Sequence, residues 1–568
     1  MTDPIIEQLT GEGGPFEIVI EDVLGHPTQV YKSRLTSMRD LMAQNAARGD
    51  LDWVVQGEAR YTYAEHDRLA RVVAAHLAGL GVERGDRVGL CSANVPEWVI
   101  TWWACAILGA VVVPLNAWWK SEELEFGLVD SGAKVLIADE RRVDAVRDRL
   151  PEIRELAHVF SFDDPGAAPV RSFAELTTGD DPGMPPGFVE EDDLLAIMYT
   201  SGTTGQPKGA TLTHRQALAN LANIIVSGVA ATMRGGTPRE GTPDLRSAAL
   251  LVVPLFHVTG CLSTMMVSYA TGGKLVLMPV GRFDPDTAMA MIEREKVTAI
   301  GGVPTVMWRI LESPNLEKYD LSSVQRASYG GAPAAPELVE RIEQVFPNLR
   351  KTLATAYGLT ETASVATAIS GDDYFAHPGS VGRAAPTVEV RVVNEDGVDS
   401  DPGERGEVWI KGPTVMNRGY WRRPDANEVA FSDGWFHTGD IGYLDAEGYL
   451  YLVDRAKDMI IRGGENVYSV EVEHVLFDHP DVVDAAVVGV PHRTLGEEVK
   501  AVVQLKPGST ATESEIREFC AKHLANFKVP EYVEIRAEPL PRNPAGKVLK
   551  NMLRGQETSF AAADDQAL

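Results

Sequence analysis

Between Tyr199 and Gly209 the chain reads Tyr-Thr-Ser-Gly-Thr-Thr-Gly-Gln-Pro-Lys-Gly. Four hydroxyl residues, Thr200, Ser201, Thr203 and Thr204, share this stretch with Gly202, Gly205 and Gly209 and with one cation, Lys208. Glycine lets a backbone approach a ligand closely and take φ > 0. Amide and hydroxyl donors on such a loop can wrap a polyphosphate. It is not a Walker A loop, because Pro207 stands where that motif needs its Gly-Lys pair. The plain alternative is a flexible Gly/Ser/Thr turn. The apolar run 194–198 just before it reads as a buried strand, and a strand feeding a hydroxyl-rich loop favours phosphate binding.

The elements around this loop follow a strand–helix alternation. A helical pattern at 38–47 precedes a hairpin at 51–63 around Gly57 and a helix at 63–80 with Leu69, Val72, Val73 and Leu77 on one face. Strands are expected at 88–91, 111–114 and 134–138, with helices from Pro96 and over 121–130 between them. Such alternation argues an α/β fold with largely parallel sheets. Residues 163–186 and 233–244 are rich in Gly, Pro and polar residues and read as loops, the second an exposed excursion; a helix starts near His214. A buried strand at 248–253 runs into Pro254-Leu255-Phe256-His257-Val258-Thr259-Gly260, and further strands fall at 274–278, 297–301 and 324–328. A helix at 337–345 leads to Ala354-Thr355-Ala356-Tyr357-Gly358-Leu359-Thr360-Glu361-Thr362. Residues 379–451 are mostly β, as a small barrel or twisted sheet. After Asp454-Arg455-Ala456-Lys457 comes a compact α+β pattern: helix 470–477, strands 485–490 and 498–505, helix 513–524, strand 532–535. Its length of about 110 residues suffices for a separate domain. Residues 1–35 read as a variable lead-in and 556–568 as a mobile tail.

With 568 residues, 44% of them hydrophobic, the chain can bury more than one core. Its net charge of 53 − 81 = −28 argues against nucleic-acid binding, so a nucleotide must be held by a local positive site. Cys91, Cys105, Cys261 and Cys520 are scattered, with no CxxC pair, which fits a reducing, cytoplasmic setting. The N-terminus has no signal-peptide pattern, and no apolar run reads as a transmembrane segment; residues 98–115 come nearest and read as a buried helix and strand. Two associations stay open: a homodimer, and peripheral membrane contact through an apolar patch.

Taken together the motifs resemble those of the adenylate-forming enzymes, the superfamily of acyl-CoA synthetases, luciferases and peptide-synthetase adenylation domains. Seven motifs occur in the family's order: 199–209, 329–333, 357–362, 406–421, 435–440, 454–473 and 541–550. The resemblance implies a large N-terminal domain of two α/β subdomains plus a small β-barrel (1–454), a hinge (455–457) and a small mobile α+β C-terminal domain (458–568). It also implies two half-reactions with ATP, Mg²⁺ and coenzyme A: a carboxylate attacks the α-phosphate and releases pyrophosphate, then a thiol displaces AMP.

The residue roles implied follow the motifs. Lys547 matches the catalytic lysine that bridges substrate carboxylate and ATP oxygens. Glu361, with Thr200, would hold Mg²⁺, an ion that prefers oxygen ligands. Thr200, Ser201, Gly202, Thr203, Thr204, Gly205 and Lys208 would meet the phosphates. Asp440 would accept hydrogen bonds from the ribose hydroxyls, with Arg455 nearby. Tyr357 would offer its face to adenine, with Gly330, Gly331, Ala332, Ala356, Gly358 and Thr360 alongside. Lys457 matches the hinge, and Arg462, Gly463, Gly464 and Glu465 would be carried to the site to bind CoA. His257 would sit near the carboxylate, and Phe256, Val258, Thr259, Trp308, Tyr329 and Ala354 would line the acyl pocket.

The function expected is thus a carboxylic acid–CoA ligase for a medium- or long-chain fatty acid or a bulky cyclic or aryl acid. An acyl-AMP ligase that loads a carrier protein is the alternative within the class, and a non-catalytic nucleotide-binding protein the alternative outside it.

Overall fold

The computed structural model describes residues 3–163, 165–166, 168–200, 207–235, 246–302, 304–330, 336–455, 458–462, 465–493, 495–543 and 547–555. Two sheets dominate. In the first, seven strands run in the order Lys208–Thr213, Leu194–Thr200, Val111–Pro114, Arg87–Cys91, Ala133–Ala138, His158–Ser161 and Val170–Ser172. All neighbours are parallel except the edge strand Lys208–Thr213, which folds back as a hairpin.

The second sheet has fourteen strands. Its parallel part contains Asp52–Gln56, Lys274–Leu277, Ala248–Leu251, Ala299–Gly302, Arg326–Gly330 and Leu353–Tyr357. The β-rich stretch after Ser380 is an antiparallel run continuous with this sheet, joined where Thr367–Ser370 pairs with Ser380–Ala384. Of the small barrel and the twisted sheet expected for this stretch, a sheet continuous with the parallel strands is the one observed.

The helices Tyr63–Gly79 and Pro96–Leu108 lie in one apolar core with residues of both sheets: Val88, Val112 and Ile137 from the first, Val54, Leu251 and Leu277 from the second. Helices shared by two sheets must be apolar nearly all round, and eleven of the thirteen residues of Pro96–Leu108 are buried. The outer faces are covered separately, by Ser121–Ser131 and Glu140–Val146 on the first sheet and by Pro285–Glu295, Pro304–Leu311 and Pro336–Val345 on the second. The C-terminal unit is a five-stranded sheet with helices Ser469–Phe477 and Glu513–His523 around its own core.

Helix His214–Gly235 is long and apolar enough to cross a membrane, a feature the sequence reading passed over. Several of its buried polar residues reach partners within the protein: Arg215 pairs with Asp192 at 2.7 Å, Asn220 accepts from Val365 N–H at 3.1 Å, and Asn223 accepts from Tyr31 OH at 2.8 Å. Those partners mark it as a core helix. The lead-in is also ordered, with helix Pro4–Thr10 capped by Asp3 and a hairpin of Ile18–Val23 with His26–Tyr31. Residues 236–245, which include most of the expected excursion at 233–244, and the tail 556–568 lie outside the described residues.

Candidate active site

The hydroxyl-rich stretch begins and ends on two antiparallel strands. Tyr199 stands opposite Gly209 and Thr200 opposite Lys208 across the ladder. The tip residues Ser201, Gly202, Thr203, Thr204 and Gly205 lie outside the described residues. Its base is tightly built. A Cβ on Gly209 would come within 2.6 Å of Ile197 Cγ2, so only glycine fits there without a shift. Residues 419–421 run beside the outer strand: Ala210 bridges Tyr420, and Trp421 N–H donates to the Gly209 carbonyl at 2.8 Å.

This alignment brings three motifs together. The Lys208 ammonium stands 5.2 Å from the centre of the Tyr420 ring, and the Tyr420 hydroxyl donates to Glu361 Oε1 at 2.8 Å. Glu361 is buried, in the turn Thr360–Thr362 that follows strand Leu353–Tyr357. That turn is strained. Ala363 and Ser364 have φ of +52° and +100°, a backbone state that costs on the order of 1–3 kcal/mol per non-glycine residue. It is held by a hydrogen bond of 2.7 Å between the Ser263 and Ser364 hydroxyls and by the Val365 N–H to Asn220. Gly358 is required: its Cβ would lie 1.4 Å from the Ser364 carbonyl oxygen.

The described residues contain no group of three or more His, Cys, Asp or Glu that could cage a metal. The single carboxylate of Glu361 fits Mg²⁺, which is commonly held by one or two carboxylates plus substrate phosphates and water.

A second carboxylate is tied to the strand that precedes the Thr360–Thr362 turn. Tyr357 OH donates to Asp440 Oδ2 at 2.6 Å, and both residues are buried. Asp440 N–H donates to Thr438 Oγ1 at 3.0 Å, which fixes the backbone that presents the carboxylate. Asp440 is opposite Arg455 in the ladder, and Gly330 is opposite Ala356, so these positions converge by strand pairing. Gly331 and Ala332 lie outside the described residues. The sequence reading placed the Tyr357 ring against adenine and did not anticipate that its hydroxyl engages Asp440.

The acyl end is built differently. His257 donates its backbone N–H to Pro254, and its side-chain Nε2 is buried without a hydrogen bond. Burial lowers its pKa to about 4, so the imidazole is neutral at pH 7. Its ring packs on Phe256, which in turn meets Trp118 edge-on with centroids 5.2 Å apart. After it the chain forms a π-helix, Thr259–Met266, a geometry frequent at functional sites. The six residues expected to line the acyl pocket divide. Val258 packs in the core between the sheets, Trp308 and Tyr329 in the core on the far side of the second sheet, Ala354 is half-buried, and Thr259 is exposed.

In the small domain Arg462 is held by Glu498 through two hydrogen bonds, one of 3.0 Å. Gly463 and Gly464, and Lys457, the expected hinge position, lie outside the described residues. Lys547 is exposed; Asn543 Oδ1 accepts its N–H at 2.8 Å, and the Asn543 N–H donates to its carbonyl at 2.7 Å. Asp454, at the end of the last large-domain strand, accepts from the Ser469 hydroxyl at 3.1 Å, and Lys550 donates to that hydroxyl at 2.5 Å.

Glu361 with Tyr420 and Lys208, and Asp440 with Tyr357, suit the adenylate-forming chemistry expected from the sequence. The comparisons agree. The family model described as AMP-binding enzyme matches residues 41–421, and the model of its C-terminal domain matches 471–547. The chain belongs to the AMP-binding enzyme family, as an AMP-forming acyl-CoA synthetase with ATP, Mg²⁺ and coenzyme A as cofactor and co-substrates. It is 37% identical over 505 residues to a feruloyl-CoA synthase of Amycolatopsis sp, spanning 88% of this chain and 95% of that one. It is also 37% identical over 502 residues to a long-chain-fatty-acid–CoA ligase of Mycobacterium tuberculosis, covering 88% and 93%. Among solved structures, ATP-bound MatB from Rhodopseudomonas palustris superposes with a TM-score of 0.80 at 31% identity, covering 91% of this chain and 98% of that one.

Sequence reasoning missed Tyr420. It lies inside the matched motif 406–421, yet an aromatic between Gly419 and Trp421 carries no chemical signal until the strands are paired.

Proposed function

We propose that this enzyme joins a medium- or long-chain, or a bulky aryl or cyclic, carboxylic acid to coenzyme A in the cytoplasm. The observation that carries the reading is the joining of Glu361, Lys208 and Asp440 to the nucleotide end through Tyr420 and Tyr357. The similarity to both a feruloyl-CoA synthase and a long-chain-fatty-acid–CoA ligase supports the breadth of the acid class.

The residues divide the work as follows. The hairpin tip with Thr200 and Lys208 holds the β- and γ-phosphates, the part that leaves as pyrophosphate. Asp440 accepts from the ribose hydroxyls, as an ionised carboxylate with several lone pairs can. Glu361 and Thr200 would hold Mg²⁺, which when bound would supply positive charge against the phosphates. Lys547, on the small domain, neutralises the charge that builds between the acid and the α-phosphate. His257, uncharged at pH 7, offers an N–H to the substrate carboxylate without contributing a charge of its own. Its buried, unpartnered nitrogen supports that role. The small domain (458–568) turns about 455–457, where Lys457 sits, and carries Arg462, Gly463, Gly464 and Glu465 to the site for the attack of the CoA thiol on the acyl carbonyl. That attack expels AMP.

The test is a screen of acids by chain length and ring content, read as AMP release with and without CoA and as thioester product. The expected result is CoA-dependent thioester formation with one of these acid classes. AMP release without any CoA thioester would sink the reading in favour of a carrier-protein acceptor.

A further inference from the structure

We infer that Tyr420 is a positioning residue that holds the metal carboxylate and the phosphate lysine in register, and that Asp130 fixes the segment that carries it. The inference rests on the roles proposed above for Glu361 and Lys208.

One side chain touches both groups. The Tyr420 hydroxyl donates to Glu361 Oε1 at 2.8 Å, while its ring lies beneath the Lys208 ammonium at 5.2 Å. A carboxylate that coordinates a cation through one oxygen needs its plane fixed, and a phenol O–H on the carboxylate does so. A lysine over a ring face is restrained by the ring quadrupole. The Tyr420 backbone is itself pinned: its N–H donates to Asn427 Oδ1 at 2.7 Å and its carbonyl accepts from Asn427 Nδ2 at 3.2 Å.

Asp130 anchors the same segment from the opposite side. Its Oδ1 accepts from Arg423 at 2.8 Å, its Oδ2 from Tyr199 OH at 2.7 Å, and its carbonyl from Trp421 Nε1 at 3.0 Å. Tyr199 begins the hairpin loop and Trp421 follows Tyr420, so this one residue, on helix Ser121–Ser131, joins the base of the hairpin to the Tyr420 segment. Between Trp421 and Arg423, Arg422 is held at φ +52°, a conformation that a bulky residue keeps only when its surroundings over-determine it.

The experiment compares Tyr420→Phe, Tyr420→Leu and Asp130→Ala with Glu361→Gln in the full-length enzyme. Two quantities are read: the Mg²⁺ concentration for half-maximal acid-dependent ATP–pyrophosphate exchange at saturating ATP, and ATP affinity by calorimetry with and without Mg²⁺. Tyr420→Phe keeps the ring and loses the hydroxyl. It should raise the Mg²⁺ requirement about tenfold, the scale of a lost charge-assisted hydrogen bond, with metal-free ATP affinity unchanged. Tyr420→Leu should add a loss of about threefold in metal-free ATP affinity, the scale of an exposed cation–π contact. Asp130→Ala should weaken ATP binding with or without Mg²⁺. A lowered Tm in Tyr420→Phe with an unchanged Mg²⁺ requirement, while Glu361→Gln shifts it, overturns the inference and leaves the Glu361 role standing. An unchanged requirement in Glu361→Gln overturns that role and the inference with it. Asp130→Ala with wild-type ATP affinity overturns the anchoring part.

Discussion

The nucleotide end and the acyl end of this site are held together by different forces. At the nucleotide end, buried and half-buried polar groups from distant parts of the chain are tied pairwise: Tyr357 to Asp440, Tyr420 to Glu361, Tyr199 to Asp130. At the acyl end, aromatic packing and a π-helix surround an imidazole whose Nε2 has no hydrogen-bond partner. A buried polar pair is specific because breaking it leaves an uncompensated group, whereas apolar packing tolerates changes of shape at modest cost. The contrast explains why one end can be common to a family while the other is free to change with the acid.

The strongest way to break the nucleotide end is through its backbone. Gly358→Ala would place a methyl group 1.4 Å from a carbonyl oxygen. We expect a loss of more than about 4 kcal/mol of stability, seen as a collapse of soluble yield or Tm together with lost exchange activity. Asp440→Ala removes the carboxylate proposed to accept from the ribose hydroxyls and the bond it takes from the Tyr357 hydroxyl. It should raise the KM for ATP about 10- to 100-fold and leave the KM for the acid within a factor of about two, measured by AMP formation.

The acyl end should respond in the opposite sense. Phe256→Ala should shift the ratio of kcat/KM between a long-chain and an aryl acid by about tenfold, the scale set by a changed apolar contact, with the KM for ATP unchanged. A further effect is on the pH dependence of stability. His257 and His214 both have pKa values lowered to about 4 by burial. In the unfolded chain each takes up its proton near pH 6.5, while the native forms resist until about pH 4. Stability is therefore full above about pH 6.5 and is lost as pH falls between these values, by about 3 kcal/mol at most for each histidine. Urea midpoints at pH 7.5 and 5.0 measure this, and His257→Phe should flatten part of the slope.

The same contrast governs what can be read from the sequence. The alternation of strands and helices, the C-terminal unit and the hairpin around Gly57 were legible because their periodicity is local. Strand Lys208–Thr213 was not, because a short Gly-containing stretch running straight into a helix has no pattern of its own and acquires strand character by pairing with residues 194–200. Helix Pro4–Thr10 was legible in principle, since Asp3 followed by Pro4 is an N-cap signature. The junction of the antiparallel run with the parallel sheet depends on Thr367–Ser370 meeting Ser380–Ala384, and no local signal specifies it. Lys208, Glu361 and Asp440 were visible as motif residues, but Tyr420 and Asp130 became visible only once hydrogen bonds joined them to those groups. The acyl residues were the least legible, because apolar positions carry no mark of which cavity they face.

The most direct test of the account is acid-dependent ATP–pyrophosphate exchange in Lys547→Ala. Exchange should fall by at least about 100-fold, as when a group stabilising transition-state charge is removed, while ATP affinity by calorimetry stays within about threefold. Undiminished exchange would contradict the claim that a lysine on the small domain completes a site whose phosphate, metal and ribose contacts all lie on the large one.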